Sequence, residues 1–272
     1  MAKSKIAEFQ KTVLSFYKKE GRDNLPWRKT ANPYRILVSE VMLQQTQVER
    51  VIPYYKAFLK KFPSMNALAS ASLADVLVLW QGLGYNRRAK MLHDAAKEIV
   101  NNQHGKFPHA YEHLVSLPGI GDYTARAVRV FAFNEPETLI ETNVRSVFIH
   151  HFFSKKDKIS DKEILALVEK ARPLKTEPRI WYAALMDYGS FLKKTFPNPS
   201  RKSSHHVQQK TFKGSDREIR GAIVRALASG GKTRKEILKL PFEQKKIEIQ
   251  LSKLENEGLV VVQKTRYSLP NV

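Results

Sequence analysis

The sequence contains no cysteine. That excludes disulfides, thiolate zinc sites, cysteine-held iron–sulfur clusters and cysteine nucleophiles, and it fits a reducing compartment. No run of residues approaches the roughly 20 apolar positions that a membrane span requires. The N-terminal stretch MAKSKIAEFQKTVLSFYKKE has no apolar signal core and reads as an amphipathic helix. Acidic residues are scarce, 26 against 47 basic, for a net charge of +21 over 272 residues. Residues 197–272 hold 16 basic and 7 acidic residues, so the excess is not a tail on a neutral body. Such a balance attracts a polyanion along the whole chain, although a merely well-solvated or ribosome-associated protein can carry it too. With 42% hydrophobic residues, there is material for one large core or two smaller ones.

Helical periodicity dominates, and strand alternation is absent before residue 255. Ile6, Phe9, Val13, Leu14 and Tyr17 share one helical face. Residues 35–60 return to helical spacing, and helices are predicted near 66–80, 87–103, 110–116 and 122–133. Others are predicted from Asn143 to Phe153, from Asp161, and over 179–194. Residues 197–214, with two prolines, several serines and a basic run, read as a linker between a domain at 1–196 and one at 215–272. The C-terminal stretch predicts three helices, stopped at Gly258, and a hairpin in LVVVQKTRYSL, which is the winged-helix order. The fold class is therefore all-α, with a small winged-helix-like domain at the C-terminus. Ile247, Leu251 and Leu254 are candidate core of that domain. Its third helix could enter a major groove, but it carries several glutamates, so general phosphate attraction by the domain or a protein contact suits it at least as well.

Two motifs carry chemistry. LPGIGDYTARAV, residues 117–128, reads as a helix-hairpin-helix turn. Gly119 and Gly121 allow a sharp bend with exposed amides, and with Thr124 in the following first turn they can hold a DNA phosphate. The same letters also suit a plain Pro-Gly turn. SEVMLQQTQVERVIPYY, residues 39–55, predicts Glu40, Leu43, Gln44 and Gln47 on one helical face. Alone, Glu40 reads as a surface or capping carboxylate more readily than as an acid catalyst. His205 and His206 have no nearby acidic pair or cysteine, and no metal or other cofactor is expected.

LPWR (25–28), PYRILVSEVMLQQTQVERVIPYY (33–55), WQGLGYNRRAKMLH (80–93), KFP (106–108), LPGIGDYTARAV (117–128) and ALMDYGS (184–190) occur in order. Over roughly residues 5–194 the chain resembles the MutY-type adenine DNA glycosylases of the helix-hairpin-helix superfamily. The resemblance implies a monofunctional enzyme that hydrolyses the N-glycosidic bond of a mispaired base, adenine opposite guanine or 8-oxoguanine, in base excision repair. Thymine or uracil opposite guanine is the alternative base, and a non-catalytic DNA-binding scaffold is a further one. It implies that Glu40 protonates the departing base and that Glu141, with Asn143 beside it, faces the sugar cation. Gln45 is implied as the wedge in the base stack and Tyr85 as the aromatic residue by the opposing base. Trp27, Arg28 and Leu43 are implied around the extruded base. Tyr123 stands where lyase-type relatives carry a Schiff-base lysine, which tyrosine cannot replace. Gln44, Arg87 and Arg88 join the candidate DNA contacts. The implied partner is double-stranded DNA with a mismatch or lesion, bound by a monomer, in the cytoplasm and nucleoid if the source is prokaryotic.

This chain departs from that family pattern at four places. Glu141 stands where aspartate is usual, and it could instead simply cap the following helix. FLKKTFPNPSRKSSH occupies the region of the cluster cysteines, so packing or basic residues must replace the cluster there. Ala183 aligns with a position that reads adenine by hydrogen bonds. The winged helix stands where a reader of oxidised guanine is usual.

Overall fold

The computed structural model describes residues 3–206 and 211–271; residues 207–210 of the expected linker lie outside them. In chain order the helices are α1 (Lys3–Glu20), α2 (Pro33–Leu43), α3 (Val48–Lys61), α4 (Met65–Ala69), α5 (Leu73–Trp80), α6 (Arg87–Asn102), α7 (Tyr111–Val115) and α8 (Asp122–Phe133). They continue as α9 (Thr142–Phe152), α10 (Asp161–Ala171), α11 (Pro178–Thr195), α12 (Asp216–Ala228), α13 (Arg234–Ile237) and α14 (Gln244–Asn256). Short 3-10 turns lie at Pro26–Lys29 and Pro199–Lys202. The strands are β1 (Lys232–Thr233), β2 (Val261–Gln263) and β3 (Arg266–Ser268). Among the described residues no helix is long and apolar enough to cross a membrane.

The chain forms two compact units that interleave in sequence. The first takes in Met1–Ile36, His109–Val115 and Gly121–Gln208; the second takes in Leu37–Pro108, Ser116–Ile120 and Gln209–Val272. In the first unit, α11 packs on α9 and α1. Phe9 of α1 meets Phe148 at 5.1 Å, Trp181 at 5.9 Å and His151 at 5.1 Å between ring centroids. Edge-on aromatic contacts of this kind fill a core in fixed geometry. Gly189 on α11 lets that helix approach the start of α9, since a Cβ there would fall 2.3 Å from the Asn143 carbonyl oxygen.

Part of the stretch read as a linker is built into this unit. Pro199 and Ser200 are buried, and the 3-10 turn they open packs on α9. Ile159 N donates to the Lys202 carbonyl at 2.9 Å, and Ser204 N donates to the Ile159 carbonyl at 2.9 Å. Main-chain hydrogen bonds thus hold this segment to the turn at Ile159.

In the second unit, α4 and α5 pack on α6, and α12 packs on α14 and α5. The three strands form an antiparallel sheet in the order β1-β3-β2. With α12, α13 and α14 they make the expected winged helix. Ile247, Leu251 and Leu254 are its core, with Ile219, Ile223 and Ile237 also buried. Gly258 ends α14 at φ +67, where its amide and that of Leu259 satisfy the last carbonyls. β1 is an element the sequence did not predict; two residues are too few to show alternation.

Two expected helices are each broken in two. Residues 35–60 divide at 44–47, where Gln45 takes φ +54 and Gln47 caps α3 in an extended conformation. Residues 66–80 divide at Ser72, whose side chain accepts the Asp75 amide at 3.0 Å and so starts α5 afresh. The first break overturns the shared face of Glu40, Leu43, Gln44 and Gln47, because the last two lie beyond the end of α2.

His151 on α9 reports on the first unit's core. Burial, reinforced by His150 and Lys5, pushes its imidazole down to about 4 from 6.5. It lies 3.0 Å from the Tyr188 hydroxyl. Between those two values the unfolded chain binds the proton that the folded chain refuses, so stability rises with pH there. Wild type is expected to lose stability on acidification from pH 6.5 to 4, and His151→Phe to lose less. Urea unfolding across that range checks this; equal pH slopes in both proteins would contradict it.

Candidate nucleic-acid and catalytic site

Each unit contributes a constellation of its own. In the second unit, Glu40 lies on α2 with only 9% of its surface exposed. The helix ends three residues later at Leu43, which is half-buried. The chain then turns through Gln44 and exposed Gln45. A non-glycine residue at φ +54 is held there against its preference, and so is Tyr85 at φ +50. One side chain restrains both turns. Arg88 Nη1 donates to the carbonyls of Val41, Met42 and Gln44 at 2.7, 3.1 and 2.6 Å. Its Nη2 donates to the Gly84 carbonyl at 3.1 Å and, at longer range, to Leu83 and the Thr46 hydroxyl. Trp80 Nε1 adds a bond to Gly84 at 3.1 Å.

Burial lowers the Arg88 guanidinium to about 10, which still leaves it charged at neutral pH. Its Nη donors are spent inside the protein, unlike those of Arg87, which is exposed.

Gln44, Gln45, Tyr85, Arg87 and Gly119 line a cavity of about 540 Å³ in this unit. Gly119 takes φ +72, and a Cβ there would lie 2.4 Å from Met91 Cβ, so the turn requires glycine. Gly121 differs. Its φ of −88 is open to any residue, and its service is to cap α8. Both glycines are exposed, whereas Thr124 in the first turn of α8 is buried.

In the first unit, Glu141 is the N-cap of α9. One carboxylate oxygen accepts the amides of Asn143 and Val144 at 2.7 and 2.9 Å, and the other accepts Asn143 Nδ2 at 3.1 Å. A helix N-terminus with three converging N–H donors suits an anion. Capping is thus what Glu141 does structurally; the same bonds fix its carboxylate in place. The loop before it is equally restrained. Arg126 and Arg129 bind the Glu137 carboxylate at 2.6 and 2.5 Å. The Tyr182 hydroxyl donates to the Glu137 carbonyl and accepts the Leu139 amide, both at 3.0 Å. Tyr123, half-buried on α8, lines a second cavity of about 430 Å³ with Arg126 and Ile140.

Trp27 is buried in the first unit, and its neighbour Arg28 is tied to Asp187 on α11 at 3.1 Å. Asp187 is 3% exposed and also accepts the Arg22 amide and guanidinium, at 2.8 and 2.7 Å. Ala183, one turn earlier, is buried and offers only its carbonyl, 3.4 Å from Arg28. The sequence reading passed over Asp187. The signal was there, since an acid inside the apolar run YAALMDYGSF must be paired if it is buried.

Residues 38–173 match the HhH-GPD superfamily of base excision DNA repair proteins. The chain is 37% identical over 185 residues to the adenine DNA glycosylase of Buchnera aphidicola subsp. Baizongia pistaciae, covering 68% of this chain and 52% of that protein. It therefore spans about half the length of that relative. It is 35% identical over 233 residues to the adenine DNA glycosylase of Mycolicibacterium smegmatis, covering 79% and 78%. A thermostable thymine-DNA glycosylase superposes with a TM-score of 0.61 at 26% identity, over 69% of this chain and 87% of that one. An endonuclease III–DNA complex superposes at 0.55 with 17% identity, over 79% and 91%, a likeness of fold alone.

The glycines supply a graded test of this geometry. Gly119→Ala and Gly189→Ala are each expected to destabilise by about 1–3 kcal/mol, because backbone or a packed side chain must move. Gly221→Ala, with nothing within 4 Å of its Cβ, is expected to be neutral or slightly stabilising. Urea midpoints at constant m-value decide it, and equal shifts at all three would contradict the close approaches.

Proposed function

Since this chain belongs to the HhH-GPD superfamily of base excision DNA repair proteins, we propose that it removes a mispaired adenine from duplex DNA. It does so as a monofunctional, monomeric glycosylase, leaving an abasic site. One observation carries this reading. Buried Glu40 stands directly before a strained turn that presents Gln45, and Arg88 ties that turn to the one that presents Tyr85.

The chemistry follows from what the bond requires. Breaking an N-glycosidic bond puts positive charge on the sugar and negative charge on the leaving base. Glu40, protonated, donates its proton to the base as the C–N bond breaks. Glu141, held at the α9 N-terminus, is the carboxylate that stabilises the sugar cation. Water adds to C1′ of the sugar and its proton returns to solvent or to Glu40. Tyr123 has no amine with which to form an imine, so no strand cleavage follows from that position. The target base must leave the stack first, and Gln45 fills its place while Tyr85 meets the opposing base. Trp27 and Arg28 of the first unit, and Leu43 of the second, are each assigned to contact with the extruded base. Arg87 and the Gly119–Gly121 turn contact phosphates. Arg88 has an internal role in this account, as the residue that positions both turns.

Glutamate for aspartate at 141 lengthens the side chain by one methylene. Its bonds to Asn143 and Val144 compensate by anchoring the carboxylate at the helix end. The second reading, removal of thymine opposite guanine, draws on the thymine-DNA glycosylase superposition and on Ala183, which has no side-chain hydrogen bond to offer adenine.

Duplexes with A, T, U or C opposite G or 8-oxoguanine, followed by alkali, measure the outcome. Adenine duplexes are expected to be cut, and faster cutting of G·T would favour the second reading. Glu40→Gln is expected to lose at least about 10²-fold in single-turnover excision while keeping duplex affinity. Wild-type turnover in that variant would remove Glu40 from the reaction.

A further inference from the structure

Gly189 brings α11 against the start of α9, where the lack of a Cβ leaves room for the Asn143 carbonyl. One helical turn further along α11, on the same side, stands Lys193. Its side chain is half-buried. Burial pushes its ammonium below the ordinary lysine value, the Glu141 carboxylate pushes it back up, and Arg22 adds to the fall. Other cations on the elements packed around this helix end are committed elsewhere. Arg145 of α9 binds Asp161 of α10 through two bonds of 2.7 Å, and Arg22 binds Asp187 at 2.7 Å. Lys202 of the 3-10 turn donates to the Ser154 carbonyl at 2.7 Å. Lys193 is left, among the described residues, to answer the Glu141 charge. Beside that carboxylate, Asn143 Oδ1 is buried and accepts no hydrogen bond from a described residue.

The α9 amides hold one oxygen of Glu141, and Asn143 Nδ2 holds the other. A glutamate has one more rotatable bond than an aspartate, so its outer oxygen needs a second anchor if it is to stay in place while charge develops nearby. We propose that Lys193 is a positioning residue for the base-removal reaction. Its ammonium anchors the Glu141 carboxylate from the α11 side, with Asn143 Oδ1 as a second acceptor. The inference rests on the base-removal reading, which assigns Glu141 to the sugar cation. An ammonium is compact and carries three rotatable donors on a flexible stem, so one group serves acceptors on two residues. Its own charge does not favour a sugar cation, so its service is geometric and is exerted through Glu141.

A double-mutant cycle on the full chain tests this. Single-turnover excision of mispaired adenine is measured for wild type, Lys193→Met, Glu141→Asp and the double variant. Lys193→Met is expected to lose about tenfold or more. Its affinity for a duplex with a tetrahydrofuran abasic site, and the salt dependence of that affinity, are expected to hold. Lys193→Arg keeps a charge within reach and is expected to recover most of the rate. Glu141→Asp, too short to be reached from α11, is expected to cost at least about threefold less in the Lys193→Met background than in wild type. Additive effects or no rescue by arginine would each overturn the assignment. So would a loss of duplex affinity with a salt slope reduced by about one, which marks a phosphate contact. Should Lys193→Met fail to melt cooperatively, Lys193→Gln takes its place in the cycle. Urea unfolding of the same proteins needs no DNA, and it is expected to show Glu141 and Lys193 coupled by about two- to fivefold in the unfolding equilibrium constant. If wild type excises nothing yet this coupling appears, the base-removal chemistry fails while the pairing stands. Excision without the coupling removes the pairing alone.

Discussion

The second unit is organised around one buried guanidinium. Arg88 donates to three carbonyls at the end of α2 and to the turn that precedes α6. Those carbonyls belong to the last turn of a helix and to a reversal that no further helical bond can satisfy. Without the guanidinium they would lose these donors. Gln45 and Tyr85 take left-handed backbone angles on either side of this clamp. Neither angle would persist in an isolated loop, and strain of this kind survives only where the surroundings over-determine it. Burying Arg88 is therefore the constraint from which the placement of both residues follows.

The first unit solves a similar problem with different groups. Its loop from Asn134 to Glu141 carries no regular structure, yet every few residues it meets a fixed partner. Arg126 and Arg129 hold Glu137, Tyr182 holds the backbone on either side of Thr138, and the α9 amides hold Glu141. Gly189 permits α11 to come close enough to support that helix end. A carboxylate restrained in this manner can face a cation without rearranging as charge develops, the condition under which electrostatic stabilisation is strongest. Capping and catalysis are compatible duties for Glu141, since both call for an ionised group at a set position.

Much of this was legible in the sequence. The winged-helix order, its core stripe and the Gly258 stop follow from periodicity and one glycine. The helix-hairpin-helix turn was readable from LPGIG, although only Gly119 needs to be glycine. The break after α2 was hidden because Val41 and Val48 stand seven residues apart, which keeps helical phase across a four-residue interruption. Capping by Ser72 was a single-residue signal inside an apolar run. The internal duty of Arg88 could not be told from that of Arg87, since adjacent arginines look alike until burial separates them. Lys193 lay in no pattern, because the carboxylate it faces stands at the start of another helix.

Arg88 spends its Nη donors on the turns that carry Gln45 and Tyr85, which assigns it to positioning them and not to gripping phosphate. Stopped-flow fluorescence of a duplex with 2-aminopurine beside the target base, recorded for wild type and Arg88→Lys, tests this most directly. A lysine keeps the charge but cannot reach both turns with one planar group. The predicted result is slower and smaller base extrusion in the variant, with affinity for undamaged duplex and its salt dependence retained. Unchanged extrusion, together with a weaker affinity and a salt slope reduced by about one, would mark Arg88 as a phosphate contact and contradict the account.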